Sequence, residues 1–116
     1  MTKVDLTTHV RQLNDKACAI DLVGEVNGFA ENILMDAFTQ ASSGAKAVIL
    51  NFEKLVYLNS SGIGLLVTIL IRAQRAKQRL LACGLNEHYK QIFELTRLSE
   101  AIGIYDTETE ALSSVN

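Results

Sequence analysis

The chain has 116 residues, enough for one domain with a hydrophobic core but too few for two. Hydrophobic residues make up 48% of the sequence and charged residues 21%, a balance typical of folded globular proteins rather than disordered ones. The net charge of -2 argues against a nucleic-acid partner, which requires a basic face, and no apolar run approaches the roughly 20 residues that span a bilayer.

The N-terminus has no basic segment followed by an apolar stretch, so no secretory signal is visible and we predict a cytoplasmic protein. Cys18 and Cys83 lie far apart in apolar segments without metal-ligand spacing, which favours buried, reduced thiols. His9 and His88 likewise lack a partner for such a site. We therefore predict neither a metal nor a cofactor.

The first part of the chain predicts a β-hairpin. Residues 3–11 alternate between apolar and polar, as in an edge strand with one wet face whose first apolar member is Val4. Residues 14–16 have turn chemistry, and residues 17–23 predict a second, more apolar strand. We predict that residues 24–28 form a loop.

Helical spacing of apolar residues begins at Phe29 and ends at Ser42-Ser43-Gly44, a typical helix stop. The predicted buried face of this helix consists of Phe29, Ile33, Leu34, Ala37, Phe38 and Ala41. Residues 45–52 are nearly continuous in apolar residues, as in a strand buried on both faces of a sheet. We predict that residues 53–58 connect this strand to a second helix, which begins near Ser60.

The last third of the chain predicts two more strands and two more helices. Residues 80–83 predict a strand that ends at Gly84, and residues 87–97 predict a helix with the apolar members Ile92, Phe93 and Leu95. Residues 102–105 predict a last strand, and Thr107 with Glu110 forms a capping-box signature before a terminal helix. The alternation indicates a single α/β domain over residues 1–116, with a mixed sheet and helices packed on it.

The sequence Asn59-Ser60-Ser61-Gly62 separates the buried strand from the second helix. Either Asn59 or Ser60 can act as the N-cap, and both serines would lie among free N–H groups at the positive end of the helix dipole. Helix N-termini are well suited to receive anions. A phosphate added to either serine would therefore be accommodated by the fold.

Two catalytic interpretations of this segment fail. A hydrolase nucleophile elbow needs glycine two residues before the serine, but Leu58 precedes Ser60 and Asn59 precedes Ser61 at that distance. A dinucleotide loop needs a third glycine where Val67 stands, and no Gly-Lys-Ser/Thr element is present. We predict no catalytic residue and no enzyme activity. Two alternatives remain, a covalent phosphate switch and a pair of serines that only cap a helix.

Residues 63–71 are apolar nearly all round the predicted helix. One stripe is filled by Ile63, Leu66, Val67 and Leu70. Other faces also carry apolar residues, namely Leu65, Ile69 and Ile71. A surface helix needs only one apolar stripe, so the excess indicates either deeper burial or an exposed patch that a partner covers.

Three segments resemble the STAS family, the domain shared by bacterial anti-sigma-factor antagonists and sulfate transporters. They are residues 22–27 (Leu-Val-Gly-Glu-Val-Asn), residues 48–64 with the Asn59-Ser60-Ser61-Gly62 motif, and residues 104–112 near the C-terminus. The resemblance covers essentially the whole chain. It implies a STAS-like fold with a mixed sheet of four to five strands.

The resemblance also implies a partner-switching mechanism. An anti-sigma factor that is a serine kinase with an ATP-binding domain either binds the antagonist, releasing sigma factor, or phosphorylates it and so blocks binding; a serine phosphatase resets the cycle. Carried over, the phosphorylation target is Ser60, with Ser61 as the fallback. The implied partner surface is the start of the Ser60 helix, the loop around Glu25 to Gly28 and the strand-to-helix connection. With the excess apolar residues of the helix added, the predicted partner-binding residues are Glu25, Asn27, Gly28, Asn59, Ser61, Gly62, Ile63, Leu65 and Ile69. We expect a monomer or a weak dimer.

The chain departs from the family pattern at two positions. The family commonly has Asp before the serine pair and Asp at the end of the Gly-Glu loop, where this chain has Asn59 and Asn27. Both changes remove negative charge from the implied partner surface, although asparagine caps a helix as well as aspartate does. The alternative function is therefore a scaffold or ligand-binding module that acts without phosphorylation.

Overall fold

The computed structural model describes residues 5–115, which form a mixed sheet with helices on both faces. The strands are β1 Leu6–Gln12, β2 Ala17–Val26, β3 Ala47–Asn51, β4 Leu55–Leu58, β5 Arg79–Cys83 and β6 Gly103–Tyr105. The helices are α1 Glu31–Ser42, α2 Ser60–Arg75, α3 Glu87–Leu95 and α4 Glu108–Ser113. Short 3-10 turns cover Gly28–Ala30 and Leu98–Glu100.

The sheet has the strand order β1-β2-β3-β5-β6, and β4 pairs with β2 off this path. Strands β1 and β2 are antiparallel, with Val10 opposite Ile20, which confirms the predicted hairpin and edge strand. All other pairings are parallel, as the alternation of strands and helices predicted. Residues 3 and 4 of the predicted first strand lie outside the described residues.

Two predicted loops were wrong in part, and both errors concern the same pairing. Strand β2 does not end at residue 23 but continues to Val26, after a register shift between Gly24 and Glu25. Leu55–Leu58, predicted as a connection, is the strand β4 that pairs with this extension. Gly24 has a φ of +106°, and a Cβ there would overlap the carbonyl oxygen of Asp5. The glycine that suggested a loop therefore marks a bulge within a strand. Residues 5–115 form a sheet of six strands rather than the predicted four to five, because β4 was missed.

The helices bury two clusters of unequal size against the two faces of the sheet. Helices α1, α2 and α3 cover one face and form the main core around Leu34, Phe38, Leu66, Ile69 and Phe93. Helix α4 covers part of the other face, where Ala111 and Val115 pack on small strand residues. Both cysteines are buried and free, as predicted.

Two apolar residues that were predicted to be helix-face members lie in solvent instead. Phe29 belongs to the 3-10 turn before α1 and is 57% exposed, so the buried face of α1 begins only with half-buried Ile33. Leu95, the last residue of α3, is 83% exposed. Tyr89 takes the buried position in α3 together with Phe93. The capping prediction for α4 is confirmed, because Thr107 Oγ1 accepts from the Glu110 N–H at 3.1 Å.

Candidate functional site

The start of α2 is held by Asn59, which settles the choice between the two predicted N-caps. Asn59 has extended backbone angles (φ -100°, ψ -179°), and its Oδ1 accepts from the Gly62 N–H at 2.8 Å. Its own N–H donates to the carbonyl oxygen of Val26 at 3.3 Å. The cap therefore ties the first turn of α2 to the end of β2.

Ser60 and Ser61 are the first two residues of α2, and both are exposed. At these positions the backbone N–H groups have no acceptor within the helix, because hydrogen bonds of the α-helix reach back four residues. The two exposed serines therefore lie at the positive end of the helix dipole, beside N–H groups that the helix itself does not bond. This placement agrees with the prediction of a serine that a modifying protein could reach.

Gly62 differs from its two serine neighbours because it is buried. A Cβ at this position would overlap the carbonyl oxygen of Val26 and would approach Leu58 Cδ1 to 2.8 Å. The backbone of the first helical turn thus lies directly on the end of β2. The implied role of Gly62 in partner contact is wrong, because no partner can reach it; its role is close packing.

The Gly-Glu loop and the serine motif are brought together as the resemblance implied. Asn27 caps the 3-10 turn, with its Oδ1 accepting from the Phe29 N–H at 2.9 Å. A Cβ on Gly28 would lie 3.4 Å from Ser61 Cβ, so this turn packs against the start of α2. Glu25 is half-buried in β2, and its N–H donates to the carbonyl oxygen of Asp5 at 3.1 Å. Asn27, Gly28 and Ser61 therefore share one surface.

Tyr89 packs beneath the surface shared by Asn27, Gly28 and Ser61, a role that the sequence pattern did not predict. Its buried hydroxyl accepts from the Leu58 N–H at 3.0 Å, one residue before the Asn59 cap. The hydroxyl thereby satisfies a backbone donor on β4. The available signal was helical spacing, because Tyr89 precedes Ile92 and Phe93 by three and four residues.

The side of α2 that faces solvent, here named the outer face, carries no charge over most of its length. It consists of Ser60, Gly64, Val67, Thr68 and Ile71, all exposed and spaced at helical intervals. Val67 is 37% exposed and Ile71 is 42% exposed. No Asp, Glu, Lys or Arg occurs from Ser60 to Ile71. Solvent-facing sides of helices normally carry charged residues, so this face is unusual.

The predicted division of α2 into apolar faces was wrong at two positions. Ile69 is fully buried in the core, so the prediction that it contacts a partner was wrong. Val67, predicted in the buried stripe, lies on the outer face. Leu65 and Ile63 are half-buried and pack against the core. The reason is that residues 63–71 carry apolar side chains on more than one side, so their spacing alone did not show which of them meet the sheet.

A second polar cluster lies on the sheet face that α4 covers in part. Arg11 Nε donates to Asp21 Oδ2 at 2.7 Å, Arg11 also pairs with Glu108, and Asn51 Nδ2 donates to Asp21 Oδ1 at 3.0 Å. The hydrogen bond from Arg11, more than any other contact, lowers the pKa of the Asp21 carboxyl, and the same bond raises the pKa of Arg11. Arg11, Asp21 and Asn51 also line a cleft of about 340 Å³.

Cys83 lies on the same sheet face, in the cluster beneath α4. Burial is the main cause that raises the pKa of its thiol to about 11, and the nearby carboxylates of Glu108 and Glu53 act in the same direction. A thiol with so high a pKa is a poor nucleophile at neutral pH.

Within residues 5–115, no group of three or more His, Cys, Asp or Glu residues is placed to hold a metal ion. Over the same residues, none of the helices combines the length and the apolar character needed to cross a membrane.

Comparison with known proteins connects this geometry to a family. The family model described as STAS domain matches residues 9–111. The anti-sigma-B factor antagonist of Staphylococcus aureus is 26% identical over 98 residues, which are 83% of this chain and 91% of that protein.

Two solved structures show the same fold. An anti-sigma factor antagonist from Mycobacterium paratuberculosis superposes with a TM-score of 0.81 at 19% identity, covering 99% of this chain and 98% of that one. The phosphorylated form of the Bacillus cell fate determinant SpoIIAA superposes with a TM-score of 0.73 at 21% identity, covering 95% of this chain and 100% of that one. The predicted fold class and family are thus confirmed, and the chain belongs to the STAS domain family.

Proposed function

We propose that this protein is an anti-sigma factor antagonist, which binds an anti-sigma factor and so releases a sigma factor, and that phosphorylation of Ser60 ends this binding. The observation that carries the proposal is the uncharged outer face of α2, which begins at an exposed serine hydroxyl and continues through Val67 and Ile71. Exposed apolar surface of this kind is typical of protein-binding sites.

The chemistry of phosphorylation at Ser60 supports a switch in charge rather than in fold. A phosphate adds a charge of about -2 and three strong acceptor oxygens. At the first residue of α2 these oxygens would lie beside unpaired N–H groups, so the helix tolerates them. For a partner docked on the outer face, the same charge would have to be desolvated against apolar side chains. Binding is therefore lost while the fold is kept.

The proposal includes the partners that the family resemblance implies. The anti-sigma factor would itself be the serine kinase, with its own ATP-binding domain, and a serine phosphatase would restore the hydroxyl. This exchange takes place in the cytoplasm, with the antagonist a monomer or weak dimer. The names of the matched relatives in Staphylococcus aureus and Mycobacterium paratuberculosis support the antagonist role.

The first experiment asks which serine accepts phosphate. The chain is incubated with its purified anti-sigma factor and ATP, and the peptides are analysed by mass spectrometry. We expect one phosphate on Ser60, retained in Ser61→Ala and absent in Ser60→Ala. Phosphate on Ser61 would move the switch to the fallback residue. An unmodified chain under conditions in which the two proteins bind would contradict the phosphorylation part of the proposal.

The second experiment asks whether the outer face is the docking surface. Val67→Arg places a charge on this face at an exposed position, so stability should change by less than about 0.5 kcal/mol while binding to the anti-sigma factor is lost. Leu95→Arg is the matched control, because Leu95 is an exposed apolar residue on α3. Isothermal titration calorimetry measures the affinity of both variants for the anti-sigma factor. Equal affinities would exclude the outer face as the docking surface.

A scaffold that binds its partner without phosphorylation is the second candidate function. The neutral residues Asn27 and Asn59 favour it, because they leave the serine surface with less negative charge than the family pattern has. This alternative predicts that Ser60→Asp leaves partner affinity unchanged while Val67→Arg abolishes binding. The antagonist switch predicts instead that Ser60→Asp lowers affinity about tenfold or more, because it places a charge at the docking edge.

A further inference from the structure

An asparagine–glycine pair, Asn27-Gly28, lies at the end of β2 beside the serine motif. We propose that Asn27 is a site of spontaneous deamidation, through which this surface gains a negative charge without any enzyme. The inference concerns a covalent change of the chain itself and does not depend on the proposed antagonist function.

The reaction is an attack of the chain on its own side chain. The backbone nitrogen of Gly28 loses its proton and forms a bond to Cγ of Asn27, and the side-chain amide leaves as ammonia with a proton from solvent. The resulting succinimide ring is then opened by one water molecule at either of its two carbonyl groups. The products are aspartate or isoaspartate at position 27, and the net change is the exchange of NH2 for OH.

Three features of this site favour the attack. The Phe29 N–H donates to Asn27 Oδ1 at 2.9 Å, which polarises the carbonyl group and would stabilise the oxyanion that forms on this oxygen. Gly28 is the first residue of the 3-10 turn, so its N–H has no acceptor within that turn. Gly28 is exposed and has no Cβ, so no side chain hinders the approach of its nitrogen to Cγ.

The structure contains two other asparagine caps that serve as internal controls. Asn27, Asn59 and Asn86 all have extended backbone, with ψ of -176°, -179° and 170°, and each Oδ1 accepts from a backbone N–H. They differ in the residue and the element that come after the asparagine. Asn59 and Asn86 precede Ser60 and Glu87, which carry side chains and begin helices of 16 and 9 residues. Asn27 precedes glycine and a turn of 3 residues, which rearranges more easily.

The products would change the surface that contains Ser61. Aspartate keeps the capping oxygen, adds one negative charge and is favoured next to the N–H groups of the turn. Isoaspartate routes the backbone through Cβ, which lengthens it and displaces Gly28 from its position against Ser61. Either product adds a negative charge at position 27, next to the uncharged residues Asn59, Ser60 and Ser61.

The experiment monitors the folded chain at mildly alkaline pH and body temperature, with peptide mass spectrometry that distinguishes aspartate from isoaspartate. We expect Asn27 to be converted first, with Asn59 and Asn86 intact over the same interval. In Gly28→Ala the conversion should be roughly tenfold slower, because the added Cβ hinders the attacking nitrogen. This variant should fold, since the new Cβ would only touch Ser61 at 3.4 Å and Gly28 has no positive φ.

A chain denatured in urea provides the reference rate at position 27. The proposal is overturned if the folded chain keeps Asn27 intact while the denatured chain is converted, because the fold would then protect the pair. It is equally overturned if Asn59 or Asn86 reacts first, or if Gly28→Ala reacts as fast as the parent chain. None of these results bears on whether Ser60 is phosphorylated, so the two proposals fail independently.

Discussion

The two faces of α2 both carry apolar residues but have opposite surroundings. The inner face, formed by Gly62, Leu66, Ile69 and Ala73, is buried against the sheet. The outer face has a glycine, a valine and an isoleucine of its own, yet these residues lie in solvent. An apolar residue type alone therefore does not distinguish the side of this helix that builds the core from the side that lies in solvent.

The difference teaches that an apolar residue contributes to stability only where the fold removes it from water. Burial of an isoleucine side chain contributes about 1.5–3 kcal/mol, and exposure of the same side chain contributes little. Substitutions on the inner face should therefore lower the free energy of unfolding. Substitutions on the outer face should instead change the affinity for the proposed anti-sigma factor.

The largest expected effect comes from the isoleucine pair. Ile69 is 0% exposed and Ile71 is 42% exposed, two residues apart on one helix. We expect Ile69→Ala to lower the free energy of unfolding by about 3 kcal/mol, because it removes buried methyl groups and leaves a cavity. Ile71→Ala should lower it by less than about 1 kcal/mol. Urea unfolding measures the stability of both variants. Similar losses of stability would contradict the placement of Ile69 in the core and Ile71 in solvent.

Gly62→Ala should have the next largest effect. Its Cβ would overlap the carbonyl oxygen of Val26, a backbone atom that cannot move without disturbing the end of β2. We expect a loss of about 2–3 kcal/mol from this forced displacement. Thermal unfolding measures it. A Gly62→Ala variant as stable as the parent would mean that the first turn of α2 lies farther from the sheet.

Gly64→Ala is the matched substitution on the outer face, and its effect should have the opposite sign. A Cβ on Gly64 would meet nothing within 4 Å. Replacing a glycine in a helix interior by alanine should therefore raise the free energy of unfolding by about 0.5–1 kcal/mol. The same unfolding assay applies to both glycine variants. A loss of stability in Gly64→Ala would indicate that something in the fold already covers this position.

The smallest effect should come from pH, and its source lies outside α2, which has no ionisable side chain between Ser60 and Ile71. The lowered pKa of Asp21 stabilises the fold above about pH 3.9, the ordinary value for aspartate. This contribution is lost as the pH falls through the lowered pKa of the folded state. It should be below about 1 kcal/mol, since the Arg11 side chain of the pair is 40% exposed.

The stability of Asp21→Asn and Gly64→Ala at neutral and acidic pH tests whether the Arg11–Asp21 pair causes part of the acid sensitivity. Asp21→Asn should lose part of the acid sensitivity of the parent chain, whereas Gly64→Ala should keep it in full. If Asp21→Asn retained the full acid sensitivity, the Arg11–Asp21 pair would not be its source.

Much of this fold was predictable because it depends on local patterns. Alternation predicted the β1–β2 hairpin, helical spacing predicted α1 and α3, and capping chemistry predicted the starts of α2 and α4. The candidate site was predictable for the same reason, since Asn59, Ser60 and Ser61 form one contiguous motif. Each of these features is encoded within about ten neighbouring residues, which is the range over which periodicity and capping act.

The features that were not predictable depend on contacts between distant parts of the chain. Strand β4 exists because it pairs with β2 beyond the bulge at Gly24, and its own exposed residues, Val56 and Tyr57, show no alternation. The ion pair between Arg11 and Glu108 joins residues that are 97 positions apart. Neither contact leaves a mark in the local sequence.

The sequence by itself determined the order of the strands and helices apart from β4, the start of α2 near Ser60 and the serine motif of the family. Only the tertiary structure decided the orientation of α2, placing Ile69 in the core and Val67 in solvent. The physical reason is that residues 63–71 carry apolar side chains on both the buried and the exposed side, so periodicity alone did not place Val67 and Ile69. In that orientation Gly62 lies directly against the carbonyl group of Val26, where only a residue without a Cβ fits.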